Sequence, residues 1–317
     1  METMETNQTN QHGRRRKKKN WQGRSNIWTI LAIVFFLIAL ICAGILVFRR
    51  IQTNIAQKKM DELAKQTNLS MNSNTPSSVL EQIAEKIEAG QQDDLSESGQ
   101  VAEEEKIYVD PMQKLEDLGV PVPDGKEIDF SKLTAEVNKD IYSWIYIPGT
   151  NIDYPVLRHP ADNSYYLNHN LDGSKGYPGC IYTEDYNSTD WLDPVTVVYG
   201  HDMRATGTMF HGLHKFEKQD FFDQNQYIYI YTPDRLFVYQ IFSACVHTDE
   251  HLLYGHDFYD KIEMADFFAH IYDEKLGKGF VRDGIEITGE DKVIVLSTCI
   301  KNRPSNRFLV CGVLLNE

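Results

Sequence analysis

From about residue 140 onward, short runs rich in Val, Ile, Tyr and Phe alternate with clusters of Gly, Pro, Asn and Asp. The runs are "SWIYIPG", "NIDYPVLR", "GCIYTE", "PVTVVYGH", "YIYIYT", "RLFVYQIFSACV", "KVIVLSTC" and "RFLVCGVLL". Branched and aromatic side chains suit a pleated, half-buried surface, and the flanking residues suit turns, so each run predicts a β-strand. "YTPDRL", between two of these runs, reads as a hairpin turn with Pro at its second position. Helical spacing appears in "DPMQKLEDLG", in "FSKLTAEVN", and in "DKIEMADFFAHIYDEK" at residues 260–275, between two late strands. About eight short strands with few helices predict a mainly β fold, closed or nearly closed as a barrel.

Upstream the pattern is different. "IWTILAIVFFLIALICAGILVF", residues 27–48, holds no charged side chain. At about 1.5 Å per residue this stretch spans a bilayer core of about 30 Å. It shows no small-residue cleavage site, so it predicts an uncleaved anchor and not a signal peptide. Residues 49–105 read as a stem. "NIAQKKMDELAKQ" and "SSVLEQIAEKIEAG" carry helical periodicity, and the acidic "QQDDLSESGQVAEEEK" reads as a linker. The expected organisation is a basic tail (1–26), an anchor (27–48), a stem (49–105) and a catalytic domain (106–317).

Charge sharpens this picture. Residues 1–50 hold nine Lys and Arg and two Glu, leaving 23 basic against 44 acidic residues, a net −21, on the rest. An acidic body repels phosphates, so no nucleic-acid partner is expected. Most of the basic residues near the span precede it. The tail is therefore expected in the cytoplasm and the bulk of the chain outside the cell.

Five cysteines are present, Cys42 within the span and Cys180, Cys245, Cys299 and Cys311 beyond it. A domain of this size builds a core without disulfide staples, and none is expected. Cys245 and Cys311 sit inside apolar runs, where a thiol behaves as a small hydrophobe. Cys180, in "YPGCIYTED", is likewise read as packing. Cys299 differs: it closes the run "VIVLSTC" ahead of the polar loop "IKNRPSN". His201 closes "VTVVYGH" in the same way, and Arg307 opens the last strand. Rigid strands ending at one barrel mouth would bring the three together. A cation beside the thiol favours the reactive thiolate. His can donate a proton to a leaving amine, and Arg, always charged, suits a developing oxyanion. This is equipment for acyl transfer.

"VVYGHDM", "VLSTC" and "RFLVCGVL", in that order behind a single N-terminal span, resemble the sortases, cysteine transpeptidases of Gram-positive cell surfaces. The likeness covers about residues 106–317. "DIYSWIYIPGTNIDYPVL" is similar to the family's opening strands, and the helix at 260–275 is similar to the class B branch. The resemblance implies the eight-stranded sortase barrel, with His201, Cys299 and Arg307 as catalytic residues. It implies Ser297 in the substrate groove, with Asn163 and Leu167 of "DNSYYL" as further substrate contacts. It implies cleavage of a sorting motif of the LPXTG or NPQTN type on surface proteins, a cysteine endopeptidase step. The acyl group then passes from the Cys299 thioester to a peptidoglycan precursor amine. No cofactor is expected. Calcium assists another sortase branch, and no ordered carboxylate loop stands out here.

Other readings compete. Arg303 is a second candidate arginine. His211 and His214 of "HGLH", and His247, His251 and His256, have spacings that suggest zinc, but neither cluster has the Glu of an H-E-x-x-H site, so surface histidines and no metal are expected. Asp202 beside His201 could orient the imidazole, although successive strand residues point to opposite faces. Asp110-Pro111 resembles the lid dipeptide of pilus-polymerising sortases, and also reads as a helix start. A thiol hydrolase on the same barrel and a non-catalytic stalked surface protein complete the alternatives.

Overall fold

The computed structural model describes residues 22–69 and 110–317, with side chains from 28–67 and 110–317. The tail before residue 22, the expected helix at 77–90 and the acidic linker lie outside the described residues. The chain divides into two compact units, Met1–Ile51 and Gln52–Glu317.

In the first unit, α1 (Gln22–Leu69) begins. Its apolar stretch is exposed and has a mean hydropathy of 3.3 over its best window, long and apolar enough to cross a membrane. The helix does not stop at the predicted stem boundary but runs on into the second unit. There Gln57, Met60, Leu63 and Thr67 recur at helical spacing and are buried. Met60 and Leu63 join the barrel's main apolar core. Lys126, with its side chain 2% exposed, reaches Thr67 at 3.4 Å and pairs with Asp153 at 2.6 Å. Met60→Ala and Leu63→Ala are each expected to cost about 2–5 kcal/mol, as for other buried aliphatic truncations. The thermal midpoint of the second unit reads this directly, and an unchanged midpoint would mean that the helix merely rests on the surface.

The barrel follows a helical preamble. α2 (Pro111–Asp117) starts at the Asp-Pro dipeptide, with Asp110 capping the Met112 amide at 2.9 Å. Asp110-Pro111 is thus a helix start, as one reading of the sequence had it. α3 (Phe130–Lys132) is capped by Asp129.

Eleven strands follow: β1 (Ile141–Ile147), β2 (Ile152–Leu157), β3 (Ile181–Tyr182), β4 (Val195–Tyr199), β5 (Asp202–Met203), β6 (Thr208–Met209), β7 (Tyr227–Tyr231), β8 (Leu236–Thr248), β9 (Phe280–Val281), β10 (Val293–Ile300) and β11 (Arg303–Leu314). Hydrogen bonding runs β11-β10-β4-β3-β2-β1-β7-β8, and a β11–β8 pairing closes the ring at eight strands. Each of the eight runs marked in the sequence supplies one of these strands. β5 and β6 form a small separate ladder, and β9 adds to β8. Between β6 and β7 lie a 3-10 helix (Phe210–Glu217) and α4 (Gln219–Gln224).

Alternation along the strands sends residues to two cores. Leu296, Val198, Phe308 and Val310 face inward to the main core. Val293, Val295, Leu309, Cys311 and Cys245 face outward, yet are buried. They are covered by the insertion between β8 and β10, which carries α5 (Leu252–Gly255) and α6 (Lys261–Ala269). Leu252, Phe258, Met264 and Phe268 supply the apolar lid over this outer face. α6 is shorter than the predicted 260–275 and is capped at its start by the Asp260 carboxylate.

Candidate active site

The end of this outer face is where the candidate residues meet. β4 and β10 run parallel in register, Val195 beside Val293 and Tyr199 beside Ser297. The pairing carries two residues further through hydrogen bonds from the Gly200 amide to the Ser297 carbonyl (3.2 Å) and from Thr298 Oγ1 to the Gly200 carbonyl (2.8 Å). His201 therefore leaves β4 alongside Cys299 on β10. No side chain fits at Gly200: a Cβ there would lie 2.5 Å from Ile181 Cδ1 and 2.7 Å from the Phe210 ring.

On the other side β10 pairs antiparallel with β11, placing Arg307 directly opposite Cys299. Arg307 in turn faces His247 on β8. Directly paired residues share a face. Three neighbouring strands thus present Cys299, Arg307 and His247 in one row, with His201 at its β4 end. One row down lie Tyr199, Ser297, Leu309 and Cys245.

Cys299 is exposed, while Cys180, Cys245 and Cys311 are buried. Burial pushes the Cys180 and Cys311 thiols far up and Cys245 up to about 11. These three stay protonated and inert; in the barrel the accessible thiol is Cys299. Cys311 pairs with Val295 in the outer core, where it fills space.

His201 Nε2 donates to the Leu167 carbonyl at 2.5 Å, and the Tyr177 ring lies 5.0 Å from the imidazole. Burial lowers the His201 pKa, and the Leu167 hydrogen bond partly offsets this. Desolvation disfavours the imidazolium, so admitting water must raise the value. Tyr177→Ala is expected to move the His201 titration, followed by NMR, to higher pH. A midpoint that stays put would mean that other groups bury the ring.

The two arginines part company. Arg307 lies on the row and donates to the Pro304 (2.8 Å) and Asn306 (3.0 Å) carbonyls of its own hairpin. Arg303 turns away to the Leu276 carbonyl and to Asn306 Oδ1, tying the hairpin to the insertion. Ser297 is 7% exposed beneath Cys299. Leu167 has an exposed side chain and meets His201 through its carbonyl. Asn163 bonds reciprocally with Asp185, to its carboxylate and from its amide, bracing the loop that carries Leu167 against the one after β3.

Asp202 does not bond His201, as the alternation of strand residues suggested; its carboxylate accepts from His211 Nδ1 (2.6 Å) and Arg204 (2.7 Å). Two features escaped the sequence reading. His214 is no surface residue: its side chain is 16% exposed and its Nε2 donates to the Cys299 carbonyl at 3.0 Å. The i,i+3 spacing of "HGLH" could have shown that both rings share a face, but not which face. Glu184 pairs with His251 at 2.6 Å across the loop after β3 and the start of α5. Its carboxyl is raised by burial, with His251 opposing. Beside it, burial raises the Tyr182 phenol, and charge on Glu184 and Cys299 adds to the effect. Among the described residues, no group of three or more His, Cys, Asp or Glu side chains is placed to hold a metal ion.

An eight-stranded barrel sets an exposed thiol near the end of one strand, beside the strand that delivers an imidazole and opposite a guanidinium, the groups that cysteine-based acyl transfer uses. The family model of the sortase domain matches residues 145–315, and the chain belongs to the sortase family of cysteine transpeptidases. Its relatives are class B enzymes. It is 28% identical to sortase B of Listeria monocytogenes over 184 residues, 57% of this chain and 72% of that protein. The crystal structure of Clostridium perfringens sortase B matches with a TM-score of 0.50 at 30% identity, covering 58% of this chain and 98% of the other. Spy0129, a Streptococcus pyogenes class B sortase involved in pilus biogenesis, matches with a TM-score of 0.50 at 26% identity, covering 59% and 98%.

Proposed function

We propose that this chain is a membrane-anchored class B sortase that cuts a C-terminal sorting motif of the LPXTG or NPQTN type and joins the retained protein to a cell-wall amine. The observation that carries this reading is the exposed Cys299 thiol set between Arg307 and the strand end that delivers His201.

The Cys299 thiol passes its proton to His201, and the resulting thiolate attacks the carbonyl carbon of the motif's Thr. The carbonyl π pair moves to oxygen, and Arg307 stabilises the oxyanion. To reach it, the guanidinium gives up its hairpin carbonyls. The oxyanion collapses, the C–N bond breaks, and His201 gives its proton to the departing amine. A thioester remains on Cys299. The acceptor amine, a peptidoglycan cross-bridge precursor, then adds to the thioester. It loses a proton to His201, and the Cys299 thiolate departs as a new amide forms. Ser297, Leu167 and Asn163 line the groove for the sorting peptide. The anchor at 27–48 leaves the tail in the cytoplasm and the domain outside, in keeping with the basic residues that precede it. On this reading 49–105 is a stem and 106–317 the catalytic domain, with residues 52–69 lending the barrel part of its core.

The test is turnover of quenched LPXTG- and NPQTN-type peptides by the full chain in detergent, with and without an amine acceptor, and intact-mass detection of the acyl adduct. An adduct on Cys299 discharged by amine is expected. Discharge by water alone would make the protein a thiol hydrolase, and no adduct with any peptide would leave a binding protein. The likeness to the Streptococcus pyogenes pilus-associated enzyme supports a second reading, in which a pilin lysine is the acceptor. Faster discharge by a lysine-bearing pilin peptide than by a cross-bridge amine would favour it.

A further inference from the structure

The parallel ladder between β4 and β10 ends early. Alternate carbonyls of a strand point to the same edge. The Ser297 carbonyl is met by the Gly200 amide, so the next carbonyl on that edge is that of Cys299. By this point the chain after His201 has left the ladder, because Asp202 and Met203 pair with β6 as the small separate β5–β6 sheet. On the other edge the β10–β11 register breaks between Cys299 and Ile300. The backbone of the nucleophile thus sits where regular pairing fails on both sides.

His214 fills the gap. Its Nε2 donates to the Cys299 carbonyl at 3.0 Å, the bond that a continued β4 would have made. The ring is held from every side. Its Nδ1 faces Glu217 Oε1 at 2.7 Å, and Asp202 Oδ2 lies 3.6 Å from Nε2. The ring stacks on Phe308, centroids 5.3 Å apart, and packs beside His211. Each ring nitrogen faces an acceptor, Glu217 on one side and the Cys299 carbonyl on the other. Asp202 follows His201 directly in the chain, and its carboxylate, 2% exposed, is gripped by His211 and Arg204. One polar cluster behind the reactive face therefore holds both the backbone leaving His201 and the carbonyl of Cys299.

We propose that His214 is a positioning residue for Cys299, its Nε2–H supplying the hydrogen bond that fixes the nucleophile's carbonyl and so aims the thiol across the face toward His201 and Arg307. This rests on Cys299 being the nucleophile. It concerns the acylation step and not substrate binding, since His214 lies behind the face on which the candidate groove opens.

The test uses the full chain in detergent. His214→Phe keeps a ring for Phe308 but removes the donor; His214→Gln removes the ring but keeps an N–H of similar reach. Two rates are measured: alkylation of Cys299 by iodoacetamide, located by peptide mass spectrometry, and peptide turnover with kcat and KM separated. In His214→Phe, alkylation and kcat are expected to fall roughly tenfold to a hundredfold, the scale of a small misplacement of a reacting group, with KM within about twofold. His214→Gln is expected to recover most of both. Equal losses in the two variants, wild-type reactivity in His214→Phe, or a rise in KM that accounts for the change would overturn the proposal. If His214→Phe does not fold, His214→Asn replaces it, with the same amide one methylene too short; activity equal to that of Gln would be equally damaging. Full peptide turnover by Cys299→Ala would instead overturn the catalytic reading. Alkylation needs no substrate, so it reports on the clamp even where no peptide is turned over.

Discussion

In the Cys299→Ala variant, peptide turnover falls to background and the acyl adduct vanishes from the intact-mass spectrum, while the fold is retained. The loss is expected to be total because nothing else in the barrel replaces the thiol. Cys180 Sγ lies against the His169 carbonyl, and Cys245 Sγ against the Ile271 carbonyl. Cys311 lies in the outer core. A buried thiol is both unreachable and held protonated, and the thiolate is the reactive species. The side chain at 299 is exposed at a strand end, so trimming it opens no cavity and stability changes little. Residual turnover above about a thousandth of wild type would require a second nucleophile and contradict the proposed chemistry. His201→Ala removes the proposed proton donor and is expected to leave slow acylation, since the thiol survives without that acid.

Arg307→Ala is expected to lower kcat by roughly a hundredfold to a thousandfold, the usual scale for removing an oxyanion-stabilising donor. KM should change little, because the interaction strengthens only as negative charge develops on the oxygen. Arg307→Lys is expected to recover only part of this, because a point charge on a flexible stem does not reproduce a planar fork of donors. Arg303→Ala provides the contrast. Its guanidinium ties Leu276 of the insertion to Asn306 of the hairpin, so its loss should lower the thermal midpoint more than kcat. Steady-state kinetics and thermal unfolding of the two variants, side by side, make the check. Equal loss of kcat in both would assign the chemistry to the wrong arginine.

The barrel was largely legible in the chain. Its strands are short, rich in branched and aromatic residues and punctuated by turn formers, so the eight runs stand clear of their loops. The candidate residues stood out for a related reason: His201 and Cys299 each end an apolar run, and Arg307 begins one. Residues at strand ends are placed by the sheet itself. Periodicity was less informative where two environments overlap. The first stem segment has a helical pattern, but nothing in it distinguishes a free stalk from a helix docked on a domain; Met60 and Leu63 are buried only because the barrel offers them an apolar surface.

What the sequence by itself determined is therefore local: an apolar stretch near the N-terminus, eight strands, and three candidate side chains bordering apolar runs. The tertiary structure decided the rest. Parallel pairing of β4 with β10 sets His201 beside Cys299, although 98 residues separate them in the chain. Antiparallel pairing sets Arg307, and not Arg303, opposite the thiol. Folding of the 3-10 helix into the barrel mouth carries His214 to the Cys299 carbonyl, 85 residues away. The physical reason is that side-chain period and turn chemistry act over a few residues. Register between distant strands, and the side chains that complete it where the ladder breaks, exist only once the sheet has closed.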